Sequence, residues 1–481
     1  MLNNKKSKKL VKKIFTKNII LLVILVVVIV YLSFITDYEG LASFTPYFLF
    51  IQISIYLLGS GRTFDVFDPY HGVSILHLLY SSAALMFVAE ARFIPQGDYI
   101  NISHALEFSK VSLFIQITLS FVNNIFSNQK IQDFAPANNS GLKLERGSIR
   151  LALLILLALL MLQVGELNPI GISSYGDRVL DYNVNKRGQS TSGLTEFIEI
   201  FAQIGILFLS VYILIVESKK NHLRLFAVSI IGLLLVKYFL AGDRSSLVTC
   251  IFFLLIVRHY FVANLNIVYV LLCSIFGYVI FNLISIARVS SDPFEMIFIV
   301  TNYILENGIT IFALDKSGEL MAGANFIKLI SEVDATGVRF GGNALDSILS
   351  FIPRFMMNRE AYFGNETFVR WYYPEVFTQG GGHGYFLPMD GYWDFGVVGA
   401  LVFMVVYLSI LKHFYYLLLK NKSKIIYIFV YAVFFSQLIA FGMRSGVYAA
   451  SKQFLIYAAP LVLIILLLRF ENTKIRNRKV V

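Results

Sequence analysis

Four cations, one histidine and two aspartates are the residues whose types and positions point to chemistry in this chain. Lys237 and Arg244 are spaced at a multiple of the helical repeat, which would put both on one helix face at the end of an apolar run. Two stacked cations there suit a diphosphate, because the planar arginine fork matches phosphate oxygens. The competing reading is snorkelling, with both side chains reaching for headgroups and Asp243 pairing locally. Arg288 closes the next pair of apolar runs and would face Arg244 across the same mouth, or act as a plain helix-end anchor. Arg354 follows Pro353, whose fixed φ makes the direction of the arginine reproducible. A solvated loop arginine is the alternative there.

His383 sits among Gly380, Gly381, Gly382 and Gly384, and a backbone without Cβ atoms lets a bulky ligand come close. Histidine titrates near neutrality and can take a hydroxyl proton, although a lone histidine in a glycine turn is often incidental. No strand precedes this run and no helix follows it, so it is not a nucleotide fingerprint. Asp390 and Asp394 follow, and the three residues are the candidates for a general base, His383 first and Asp390 second. Asp394 opens an apolar run, so it reads as a carboxylate stabilised at the N-terminus of its own helix. Tyr385, Tyr392 and Trp393 offer faces on which sugar rings stack, or else belong to an interfacial aromatic belt. Arg359, Glu366 and Arg370 read as local ion pairs. Glu332 and Asp334 come nearest to a paired-carboxylate metal motif, but one such pair does not make a site, and no metal is expected.

Composition decides what must position these residues. The chain has 481 residues, of which 57% are hydrophobic and 15% charged, and its mean hydropathy is +0.70. Soluble domains carry roughly 25% charged residues, so an all-α polytopic membrane protein is expected. The net charge of +11 sits in short basic clusters between apolar runs, a pattern that orients a membrane protein and argues against a nucleic-acid partner. Cys250 and Cys273 both fall in apolar runs and form neither a disulfide framework nor a metal spacing.

A bilayer-spanning helix needs roughly 20 apolar residues. Twelve stretches qualify: 18–36, 44–60, 71–90, 108–126, 150–166, 198–216, 225–241, 246–263, 266–286, 395–418, 425–441 and 453–469. The first follows seven lysines and reads as a retained signal anchor. Gln52, Ser54, Gln116, Thr118 and Ser120 dilute the second and fourth. With the N-terminus inside, most Lys and Arg fall in inward segments, which places both termini in the cytoplasm. The stretch 295–312 carries Glu295, Asn302 and Glu306 on one face and reads as lying along the interface rather than crossing. Three parts result: 1–286 with nine spans and a basic N-terminus, 287–394 as one large extracytoplasmic loop, and 395–481 with three spans and a basic tail.

The run from His383 to Gly399, ending Asp390-Gly391-Tyr392-Trp393-Asp394-Phe395-Gly396-Val397-Val398-Gly399, resembles a signature of Wzy-type oligosaccharide repeat-unit polymerases. In that family an acidic residue, an aromatic and Phe-Gly-x-x-Gly lead from the large outside loop into the next helix, and the acid is usually glutamate. Gly242-Asp243-Arg244-Ser245-Ser246-Leu247 and Ile352-Pro353-Arg354 resemble further features of it. The last part is also similar to the related O-antigen ligases. The resemblance implies a GT-C-like helical fold and a metal-independent membrane glycosyltransferase with no cofactor. It further implies an undecaprenyl-diphosphate-linked oligosaccharide as donor and acceptor, joined at the outer face of the cytoplasmic membrane. A chain-length regulator and a flippase are the further partners it suggests. An O-antigen ligase, a polysaccharide flippase and a purely structural membrane partner are the alternatives; a flippase would show two similar halves and short loops.

Overall fold

The structure, a computed structural model, describes residues 35, 37–60, 65–89, 101–126, 152–159, 192–216, 221–240, 244–266, 277, 293–308, 320–349, 352, 364–378, 384–422 and 425–478. Among them there are helices and connecting turns, and no strand beyond one isolated parallel bridge between Tyr385 and Ser445.

Three helices form the first group: α1 (Tyr38–Gly59), α2 (Pro69–Ala89) and α3 (Ile102–Phe126). The Asp37 carboxylate starts α1 by accepting from the Gly40 N–H at 2.7 Å. The second group begins with α4 (Ser192–Val216), α5 (Asn221–Leu240) and α6 (Arg244–Val257), the last continuing as a π-helix over Arg258–Val262. The interval 287–394 holds five helices among its described residues: α7 (Pro293–Asn307), α8 (Ala322–Thr336), α9 (Gly342–Leu349), α10 (Gly364–Tyr372) and α11 (Pro374–Thr378). Three long helices close the chain: α12 (Met389–Lys420), α13 (Ile425–Ser445, with a π stretch at Phe435–Phe441) and α14 (Val447–Arg478). Helices α8 and α12 pack onto α2 and α3, while α13 and α14 pack with α4 and α6.

Seven helices among the described residues are long and apolar enough to cross a membrane: α1, α2, α3, α5, α12, α13 and α14. The expected spans 198–216 and 246–263 correspond to the shorter apolar helices Phe201–Ile215 and Ser246–Val262. Of the expected spans 18–36, 150–166 and 266–286, all but residues 35, 152–159, 266 and 277 lie outside the described residues.

Gln52, Gln116 and Ser120, three of the polar residues that dilute α1 and α3, are buried among the helices. Gln52 donates to the Ser81 hydroxyl at 3.1 Å, and Ser120 donates to the Ile55 carbonyl at 3.0 Å. In α13, Gln437 reaches Thr249 of α6 at 2.7 Å. Such bonds link helices where neither lipid nor water would satisfy the side chains.

One end of the bundle is tied by a buried polar junction. Asp65, in the turn between α1 and α2, accepts from the Tyr260 hydroxyl at 2.7 Å, the Tyr415 hydroxyl at 2.5 Å and the Phe67 N–H at 3.0 Å. His259 lies 3.1 Å from the other Asp65 oxygen, and its Nδ1 accepts the Leu265 N–H at 3.0 Å. The imidazole proton therefore sits on Nε2 and is donated to Asp65. Burial by itself would push the Asp65 carboxyl up, but the bonds from His259, Tyr415 and Tyr260 outweigh it and hold the carboxyl below its usual range. Beside it, Lys412 pairs with both Asp68 oxygens at 2.5 and 2.7 Å, and Tyr431 donates to the Phe67 carbonyl at 2.6 Å. Turns at 65–68 and 258–265 and the far end of α12 thus meet in one place.

Candidate functional site

The opposite end of α12 holds the acidic pair. Met389–Asp394 is a helical piece that ends at Phe395 (φ −142°) and Gly396 (φ +62°, ψ −150°), where the chain reverses onto the rest of α12. The Gly396 conformation is essentially closed to residues with a Cβ. The reversal brings two backbones together: a Cβ on Gly399 would lie 2.2 Å from the Gly391 carbonyl oxygen, and one on Gly391 2.4 Å from that of Gly399. The Phe-Gly-x-x-Gly motif is thus the requirement of a tight fold-back, with one glycine for φ and another for contact.

The fold-back aims both aspartates at helices distant in sequence. Asp390 is buried, and its Oδ2 accepts the Val447 N–H at 2.9 Å, at the start of α14. Asp394 accepts the Asn343 and Ala344 N–H groups at 2.8 and 2.9 Å, in the first turn of α9. Two acids one helical turn apart thus cap two different helices, each supplying charge and acceptors where a helix N-terminus needs them. Asp394 was expected to cap its own helix; it caps α9 instead, because the reversal at Gly396 turns its carboxylate away from the long part of α12.

Asn343 touches both acids, its Nδ2 lying a long 3.4 Å from Asp390 Oδ1. Its Oδ1 is buried without a hydrogen-bond partner, and so is the Tyr385 hydroxyl, which lies beside the Asp390 carboxyl without completing a bond of normal geometry. Among the described residues no cation pairs with Asp390. A proton on Asp390 Oδ1, with the Asn343 amide turned over, would give the orphaned amide oxygen a donor. Gly364 and Gly446 make room for the carboxyl, since a Cβ on either would lie 2.9 Å from one of its oxygens. The segment before Asp390 is laid along α13, with Tyr385 and Leu387 donating to the Arg444 and Met443 carbonyls at 2.7 and 3.1 Å.

The three aromatics expected to stack on sugars are all buried. Tyr385 and Trp393 pack on Phe368, with ring centroids 5.9 and 6.2 Å away, and Tyr392 packs on Phe326 of α8 at 5.2 Å. Trp371, edge-on to Trp393 at 5.6 Å, is half exposed. The Arg339 guanidinium lies over both rings, 4.8 Å from the Trp371 centroid and 5.0 Å from that of Trp393, with Asp346 2.9 Å from its Nη2. Sequence reasoning missed Arg339, Asn343 and Trp371 as site residues. The only local signal for the first two was the Arg339-Phe340-Gly341-Gly342-Asn343 run, which reads as a helix start.

Arg288, Arg354 and His383 lie outside the described residues, and of Arg244 only the backbone is described, as the first residue of α6. Lys237 is half-buried in the last turn of α5. One cation closes a helix and the other opens the next, so the spacing between Lys237 and Arg244 does not put them on one helical face. Arg359 also lies outside the described residues; Glu366 and Arg370 stand in the first and last turns of α10, signs that complement its dipole. Glu332 and Asp334 diverge, Glu332 toward Lys328 and Asp334 toward His104, each at 3.2 Å.

Fold and site together define a polytopic, all-helical membrane protein with a buried acidic pair at one end of its bundle. The family model for the O-antigen polysaccharide polymerase Wzy matches residues 10–474, nearly the whole chain, and the chain belongs to that family. No curated protein and no solved structure matches it.

Proposed function

We propose that this polysaccharide polymerase joins lipid-diphosphate-linked oligosaccharide repeat units at the outer face of the cytoplasmic membrane, with both termini in the cytoplasm. Membership of the Wzy family over residues 10–474 carries the reading. The sidedness is supported by the junction of Asp65, His259 and Lys412, which gathers two turns and the end of α12 remote from Asp390, all assigned to the cytoplasm by charge counting.

In the reaction, the bond between the sugar C1 and the lipid diphosphate breaks, and a bond from C1 to the acceptor hydroxyl oxygen forms. The hydroxyl proton goes to a base, His383 in this reading, with Asp390 as the second candidate. The diphosphate leaves as an anion, whose charge Arg244, Arg288, Arg354 and Lys237 would hold; stabilising such developing charge is generally the largest catalytic contribution. Neither a metal nor a nucleotide sugar takes part. With Tyr385, Tyr392 and Trp393 buried, their role is to shape the floor of the site, and the sugar-facing ring is Trp371.

Deletion of the gene tests the reading. Surface glycans of one repeat unit, with the long-chain ladder gone, are expected. Unlinked polymer of normal length would make the protein a ligase instead, and repeat units held in the inner leaflet would make it a flippase.

A further inference from the structure

Helix α9 is built inside out for a protein in water. It buries Asn343 and Ser347, one turn apart on one face, and leaves Leu345 and Ile348 on the other face 54% and 55% exposed. The inner face is polar because it serves the acidic pair: Asn343 meets Asp390 and Asp394, and the Ser347 hydroxyl accepts the Gly364 N–H at 3.2 Å. Water would reward the opposite orientation of these side chains.

The residue before the helix sharpens the point. Phe340 is 80% exposed, and among the described residues it is the one non-glycine with positive φ, at 49°. Its backbone is held there by its N–H to the Asp394 carbonyl and by the Arg339 N–H to the Trp393 carbonyl, both at 3.0 Å. A β-carbon in this region is strained, and such strain persists where the surroundings impose it. What it achieves here is to aim a large apolar ring outward.

Phe340, Leu345 and Ile348 continue an apolar surface that already has an occupant. The Phe395 ring lies against this turn, since a Cβ on Gly341 would be 3.5 Å from its Cζ. Phe395 is 55% exposed and heads a row on α12 made by Val398, Val402, Val405 and Val406, all exposed. Helix α12 is long and apolar enough to cross the bilayer, so that row faces acyl chains. The patch is rimmed by the half-exposed Trp371 and by Arg339, residue types that favour the boundary between hydrocarbon and headgroups.

We infer that α9, with Phe340 and Phe395, is an interfacial foot whose apolar face is seated among the acyl chains of the bilayer. The inference stands apart from the reaction proposed above, because it rests on burial and strain and not on any catalytic role. Its consequence for the site is direct. The polar back of the same helix carries Asn343 and receives the Asp394 cap, so the membrane surface sets the depth at which the acidic pair is held.

Leu345→Trp in the full-length protein, reconstituted into phosphatidylcholine vesicles, tests this. The side chain at that position is exposed, so a larger ring has room. Ile348→Trp, read in the same way, keeps the test open should the first variant fold poorly. The emission added by the new tryptophan is expected to fall to about half in vesicles whose lipids are brominated on the upper acyl chain, and to resist aqueous acrylamide. Quenching by acrylamide without an effect of brominated lipid would put the face in water. Resistance to both would mean that protein covers it. Either result overturns the inference.

Discussion

Gly399→Ala is the sharpest test of how the acidic pair is positioned. The new Cβ would lie 2.2 Å from the Gly391 carbonyl oxygen, where ordinary contact begins at 3.4 Å. The obstacle is backbone on both sides, so no rotamer relieves it and the two segments must separate by about 1 Å. Asp390 and Asp394 lie on the segment that moves. Their bonds to Val447, Asn343 and Ala344, now 2.8–2.9 Å, would lengthen beyond hydrogen-bonding range. Overpacking costs about 1–3 kcal/mol, and each bond to a charged acceptor is worth about 1.5–3 kcal/mol. Losing even one such bond makes the total about 2.5 kcal/mol or more, a large part of the roughly 5–15 kcal/mol that holds a domain folded. Thermal unfolding of the purified protein in detergent, followed by size-exclusion chromatography of a fluorescent fusion, should show a midpoint lowered by several degrees and a reduced folded yield. Gly232→Ala is the control: nothing lies within 4 Å of its Cβ position in α5, so a gain of about 0.5–1 kcal/mol is expected. A Gly399→Ala protein with an unchanged midpoint and a normal polymer ladder would refute the fold-back reasoning.

Four further variants test the acidic pair, the Asp65 junction and the proposed base. Asp394→Asn keeps one oxygen for the two N–H groups it now accepts, so it should cost about 1–3 kcal/mol and show as less folded protein; normal abundance and midpoint would count against the capping role. Asp65→Asn should lower the midpoint at neutral pH by about 3 kcal/mol of stability, because two tyrosine hydroxyls and a histidine lose their charged acceptor. The Asp65 carboxyl is held below its usual range when folded, so its contribution is present above the unfolded pKa and fades as pH falls through the folded one. The gap between wild type and Asp65→Asn should therefore close in acid, and a gap that widens there would contradict this account. For the base, His383→Ala should shorten or abolish the ladder through a loss of about 10²–10⁴-fold at unchanged protein level. Asp390→Asn should stay folded, since its oxygen still accepts from Val447 and its amide can donate to the orphaned Asn343 oxygen; an inactive but abundant Asp390→Asn would make Asp390 the base.

Hydropathy is a local property, and the helical membrane class was legible from it. So were the positions of the seven described helices that are long and apolar enough to cross a membrane, because a run of apolar side chains needs no distant partner to choose a bilayer. The signature at 390–399 was legible as well, since glycines that serve backbone conformation and contact leave a mark in the chain itself. What the carboxylates do was not. Asp390 finds Val447 57 residues away and Asp394 finds Asn343 51 residues away, and a sequence shows an acid without showing which helix end it will meet. Asp65 reached Tyr260 and Tyr415 over 195 and 350 residues, while its own neighbours gave no hint of a junction. Trp393 likewise read as an open stacking face until packing buried it and set the Arg339 guanidinium over both its ring and that of Trp371. Apolar side chains choose an environment, which composition reveals; hydrogen-bonding side chains choose a particular partner, and only the tertiary fold decides which one comes within 3 Å.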